Sequence, residues 1–190
     1  MGMLISMAYK ENPNYNHGRR RANYSNANAV ENVIRYITRS RINESRKQDL
    51  IVYGGLGINC FGRPEEIINQ FLYVQRVYNI EARKGRRLYH EVFLLSDEEY
   101  CRLCQDMDQV NVLAMNLCNM YYRLGHQVVY AIHYEEDKHL HIHFVINSIN
   151  FVTGRKWHEY KHDVIIRERL FNEILRNHQC IIIKKIQNAY

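Results

Sequence analysis

The sequence predicts an α+β domain, a central and mainly antiparallel β-sheet with flanking helices. Three observations predict it. Two strand-like segments, "HQVVYAIHYE" and "HLHIHFVINSIN", are separated only by a polar tip, Glu136, Asp137 and Lys138, as in a hairpin. Long stretches of helical periodicity lie between such strands instead of following each one in a regular alternation. The chain has 190 residues, 46% of them apolar, with no long uncharged apolar run. That length suits one domain with a real core, spanning 1–190, and excludes a membrane-spanning helix.

The elements follow in order. Residues 1–24 are polar and predicted to be a partly extended basic arm. "SNANAVENVIRYITRSR" predicts a helix, with Ser25 or Asn26 as cap and Ala29, Val33, Tyr36 and Ile37 at helical spacing. "DLIVYGGLGINC" is a short strand that runs into a glycine-rich loop. Pro64 in a first turn, followed by Glu65 and Glu66, opens a helix to about Asn79. "EARKGRR" is a basic turn around Gly85, and "LYHEVFLLS" is a strand. Ser96 with Glu99 forms a capping box and starts one long helix ending before Gly125. After the hairpin come a turn at "VTGRK", a helix around 163–178, and an end, "CIIIKKIQNAY", that reads as a strand or a cut edge.

The formal charge is +6, and its placement is more informative than its size. Residues 1–47 hold nine Lys and Arg against three Glu, whereas the other 143 residues hold 17 of each sign. The whole surplus therefore lies in the N-terminal quarter. There Arg19, Arg20, Arg21, Arg35, Arg39 and Arg41 interleave with Tyr15, Tyr24 and Tyr36, a pattern suited to phosphates and stackable bases. A solvated basic arm is the plainer alternative. Five cysteines, an odd number, indicate a reducing compartment, and the N-terminus has no signal-peptide pattern. Cys101 and Cys104 form a CxxC within a helical pattern and have no second pair, so two half-buried helix residues are expected there instead of a zinc or redox site.

The hairpin carries the chemistry. On a strand, His139, His141, His143, Val145 and Asn147 share one face, and Leu140, Ile142, Phe144 and Ile146 share the other, the core side. Antiparallel pairing brings His133 beside His139 or His141. Neutral imidazoles can be gathered without charge repulsion, and a divalent metal favours that form. Three ligands from two strands would leave coordination positions open, as in catalytic sites. The carboxylates Glu135 and Asp137 at the tip are candidates to orient the ligands, with His139 and Asn147, and Glu91, which follows His90 on the sheet, could approach the site, with a surface role as the plainer alternative. No HExxH is present, which argues against a zinc protease.

"AIHYEEDKHLHIHFVIN" resembles the signature of the relaxases, the mobilization nucleases of conjugative plasmids and integrative elements, which belong to the HUH endonucleases. The family's pattern is a histidine, an acidic turn, HxH, a hydrophobic run and an asparagine. It maps here to His133, to His141 and His143, and to Asn147. "SINFVTGRKWH", "ENVIRYITRSR" and "YHEVFLLSDEE" resemble further relaxase segments. Two departures stand out. The acidic spacing in "HYEEDKH" differs from the family's, and His139 is an extra histidine. The resemblance implies metal held by His133, His141 and His143, manganese or magnesium foremost, with zinc, nickel or another ion as alternatives. It implies site- and strand-specific nicking and rejoining of single-stranded DNA at an origin of transfer, through a 5′-phosphotyrosine. Accessory DNA-binding and coupling proteins, a bacterial cytoplasmic setting and further chain beyond this domain would go with it.

Of 15 tyrosines, Tyr36 matches the family's nucleophile, a helical tyrosine followed by basic residues. It also fits a core aromatic. Tyr24, in a polar loop after three arginines, is the rival. Arg155 and Lys156 are further candidates for phosphate contact. Two other functions stay open at this point: an HUH replication initiator or single-strand transposase, told apart by substrate, and a non-enzymatic DNA-binding module, whose salt-sensitive binding would survive loss of metal.

Overall fold

The computed structural model describes residues 3–6, 24–40, 49–80, 84–103, 105–134, 140–158, 160–178 and 187–188. Strands β1 (Met3–Ser6), β2 (Leu50–Leu56), β3 (Leu88–Leu94), β4 (His126–His133), β5 (His141–Asn150) and β6 (Gln187–Asn188) form one sheet in the order β2-β4-β5-β3-β1-β6. All neighbours are antiparallel except β1 and β6. The expected hairpin is the centre of this sheet, with His133 opposite His141 and Ala131 opposite His143. On its other side β5 pairs with β3, His143 opposite Val92. The N-terminal segment contributes β1, beside β3, and residues 187 and 188 of the final segment lie parallel to it as the edge.

Helices α1 (Ala29–Ile37), α2 (Pro64–Val77), α3 (Asp97–Arg102), α4 (Met107–Arg123) and α5 (Lys161–Asn177) cover the sheet. One face packs Phe93, Tyr130, Ile142, Phe144 and Ile146 against Leu113, Leu117 and Tyr121 of α4 and Phe171 of α5. That is the core side the alternation predicts. The histidine face is also covered, however. Val30, Val33, Ile34 and Ile37 of α1 and Ile67 and Phe71 of α2 pack on Leu88, Val129, Ala131 and Val145. The reason is that Val129, Ala131 and Val145 share the histidine parity and supply an apolar floor, so the site forms at one end of a second core.

Local signals fix most boundaries. Pro64 opens α2 ahead of Glu65 and Glu66. The Ser96 hydroxyl accepts from the Glu99 amide, and the Glu99 carboxylate accepts from the Ser96 amide. Gly125, at φ +87°, ends α4 where an added Cβ would meet the Asn150 side chain. Two expectations are corrected. The single long helix from Ser96 is two helices, because Leu103 turns into the core, Gln105 takes φ +52° and the Asp106 carboxylate caps a new start at Met107 through the Asp108 amide. Helix α1 begins after Asn28, later than a cap at Ser25 or Asn26 would give, and no side chain caps it.

Candidate metal centre and nucleophile

Strand alternation places His133, His141 and His143 on one face, and the β4–β5 register brings them together. One ring nitrogen from each lies within 4.8 Å of the others. Ring centroids are 4.6–5.3 Å apart. All three are buried. Burial, then the charges of His90, His133 and His141, hold His143 well below the ordinary histidine range, so its ring is neutral.

Hydrogen bonds fix how the rings present their lone pairs. Nε2 of His133 lies 2.7 Å from the carbonyl of Ile37, the last residue of α1. A carbonyl only accepts, so Nε2 carries the proton and Nδ1 carries the lone pair. This bond also satisfies one of the carbonyls that every helix C-terminus leaves open, and it docks the end of α1 onto the centre. Nδ1 of His143 lies 3.0 Å from Nε2 of His90, while its own Nε2 is buried with no hydrogen-bond partner. An orphaned imidazole nitrogen beside two more imidazoles is costly unless something binds it. The donor set fits a divalent metal.

His90 is the functional candidate that sequence reasoning missed. It sits on β3, diagonal to His143 across the β3–β5 pairing, and its Nδ1 lies 3.3 Å from the Tyr24 hydroxyl. The three side chains form a line, Tyr24–His90–His143. Burial pushes His90 down to about 3 and pushes Tyr24 up to about 12, the latter with Tyr36 raising it further and Arg86 opposing. Tyr36 occupies the shoulder of α1, outside the buried stripe of Val33, Ile34 and Ile37, and is 45% exposed. Its ring centroid is 5.6 Å from that of His143, and the Arg39 guanidinium lies 5.2 Å over it. The core-aromatic alternative for Tyr36 therefore fails on exposure.

The family description "Relaxase: MobA/VirD2-like, nuclease domain" matches residues 16–180, most of the chain and all of the site. The chain belongs to this relaxase family. No curated protein and no solved structure matches it. Membership makes it a DNA nuclease domain of a divalent-metal-dependent family that works on single-stranded DNA. No described helix of the relaxase is long and apolar enough to cross a membrane.

Other expected residues are placed differently. Glu91 cannot approach the relaxase centre: it points to the opposite face, where it is fully buried, paired with Arg167 at 3.1 Å and hydrogen-bonded by the Tyr121 hydroxyl. Asn147 does lie on the histidine face, but about 13 Å along β5 from His143 at strand rise. Its side chain bonds Gln75, Gln127, the Phe71 carbonyl and the Ile149 amide, and no histidine. It ties β5 to α2. Arg35 is held by Glu31 at 3.0 Å and Glu65 at 2.6 Å, which makes it a clamp between α1 and α2. Arg155 is exposed, and Lys156 donates to the Lys84 carbonyl. Arg19, Arg20, Arg21, Arg41, Glu135, Asp137 and His139 lie outside the described residues.

Proposed function

We propose that this relaxase domain nicks and rejoins one strand at an origin of transfer, with Tyr36 as nucleophile and His133, His141 and His143 as metal ligands. The observation that carries the reading is the exposed Tyr36 ring beside a buried three-histidine centre with an orphaned nitrogen. When bound, a divalent ion would offset the negative charge that grows on the phosphate and help align it. An all-imidazole donor set suits manganese, zinc or nickel better than magnesium.

The chain's own residues supply the rest. Tyr36 Oη bonds to phosphorus as the P–O3′ bond breaks, leaving a 5′-phosphotyrosine and a 3′-hydroxyl that has taken up a proton. The proton that leaves the Tyr36 hydroxyl balances the one the 3′-oxygen takes up. Arg39, buried and ion-paired with Asp49 at 3.9 Å, lies 5.2 Å over the Tyr36 ring and braces it beside the histidines, so it serves the ring and does not reach out to DNA as the sequence suggested. The His133–Ile37 bond keeps the helix end, and Tyr36 with it, at a fixed distance from the ligands. The ester retains the energy of the broken bond, so rejoining needs no nucleoside triphosphate. Tyr24, buried and bonded to His90, supports the ligand His143 in this reading and does not attack.

An oligonucleotide carrying the transfer origin, incubated with the protein and Mn²⁺, is expected to become covalently attached. Mass spectrometry should place the adduct on the Tyr36 peptide, and Tyr36→Phe should abolish it. An adduct on Tyr24 would overturn the nucleophile. Neither adduct nor nicking would overturn the enzymatic reading and leave a DNA-binding module.

A further inference from the structure

Away from the histidine centre, the turn before β3 and the segment after β5 enclose a cavity of about 370 Å³. Its floor is aromatic. The rings of Tyr89 and Trp157 lie 4.6 Å apart and 35° from parallel, held by the bond from the Tyr89 hydroxyl to the Trp157 carbonyl at 3.0 Å. Its walls are cationic: Arg86 lies 5.1 Å over the Tyr89 ring, and Lys156 reaches across to the Lys84 carbonyl at 2.7 Å. Tyr160 stands at the rim, 68% exposed. Among the described residues that line the cavity, none is a carboxylate.

We propose that this pocket seats one nucleotide of the bound DNA strand, with its base against the exposed Tyr160 ring and its phosphate on Lys84, Arg86 and Lys156. It rests on the reading that the histidine site works on single-stranded DNA. Two features point to a nucleotide instead of to a general acidic partner. An exposed aromatic ring, Tyr160, at the rim of a cationic pocket matches a base joined to a phosphate, whereas an acidic peptide would need only charge. The cationic wall also adjoins the line that leads to the histidines from the other face of the sheet: the Arg87 amide, next to Arg86, donates to the Tyr24 carbonyl at 2.7 Å, and the Tyr24 hydroxyl lies 3.3 Å from His90. The pocket would then set which base is accepted at a fixed distance from the nick.

Trp157 is the chain's single tryptophan and lines this pocket, so its fluorescence responds to what enters it. Oligothymidylate is expected to quench it, and an abasic strand of the same length to quench it far less and bind about ten-fold more weakly, within the range of one stacked base. Tyr160→Ala should remove most of that preference for bases without weakening abasic binding, and Tyr160→Phe should restore it. Arg86→Gln should weaken both strands alike and lower the salt slope by about one. Equal quenching and affinity for the two strands, or quenching by heparin as strong as by oligothymidylate, would overturn the proposal in favour of a charge-only surface. Failure here with an intact Tyr36 adduct would sink the pocket alone. Base-dependent quenching with no adduct would sink the nicking reading alone.

Discussion

At the scale of single residues, the line Tyr24–His90–His143 has a definite direction once a metal is present. His143 must offer the Nε2 lone pair, so its Nδ1 carries the proton and donates to Nε2 of His90. His90 is then protonated on Nδ1 and donates to the Tyr24 oxygen. Without His90 the His143 ring loses both its orientation and its tautomer. His90→Ala is therefore expected to lower Mn²⁺ affinity by about 10- to 100-fold, the usual scale for a partner that orients a metal ligand, as read by calorimetric titration. His90→Gln keeps an acceptor for Nδ1–H and should retain most of the affinity. Tyr24→Phe removes only the far end of the line and should still form the DNA adduct. An affinity unchanged in His90→Ala would show that the packing of β5 alone holds His143 in place.

At the scale of elements, β3 carries opposite chemistry on its two faces. His90 faces the three histidines and bonds His143, and Glu91 joins β3 to α4 and α5 through Tyr121 and Arg167. Glu91→Ala would leave the Arg167 charge buried without its carboxylate, at a cost of about 3–5 kcal/mol in urea unfolding, while Mn²⁺ affinity in the folded protein stays the same. The same strand shows what the sequence could and could not reveal. The hairpin was legible because its two strands are adjacent in sequence and strict alternation settles which side chains share a face, so His133, His141 and His143 could be grouped. Whether His90 or Glu91 faces that group depends on the β3–β5 register. That pairing spans more than fifty residues of chain, and no local pattern encodes it. Tyr36 was readable from its surroundings in the chain, but its freedom from the core depends on where α2 packs against α1. The break at Gln105 was hidden because residues on both sides have good helical periodicity.

For the whole molecule, the buried histidines couple folding to pH. Burial, and secondarily His133, hold His90 at about 3, and burial also lowers His126 and His143. In the unfolded chain the same rings titrate near pH ~6.5. Below that point the unfolded state takes up protons that the folded state refuses. The contribution is therefore fully present above pH ~6.5 and declines as pH falls toward about 3. His90 alone should account for about 1.4 kcal/mol per pH unit across that window. In chelator-treated protein the urea midpoint is expected to fall steadily from about pH 6.5 to about pH 5, with the slope reduced in His90→Gln. Mn²⁺ held by the neutral rings of the folded state would raise the midpoint at neutral pH and lose that effect in acid, as protons compete for the same nitrogens. A midpoint flat across the window in the metal-free protein would mean that the rings gain access to water and take up protons without unfolding. The centre would then be an open site instead of one sealed between α1 and the sheet.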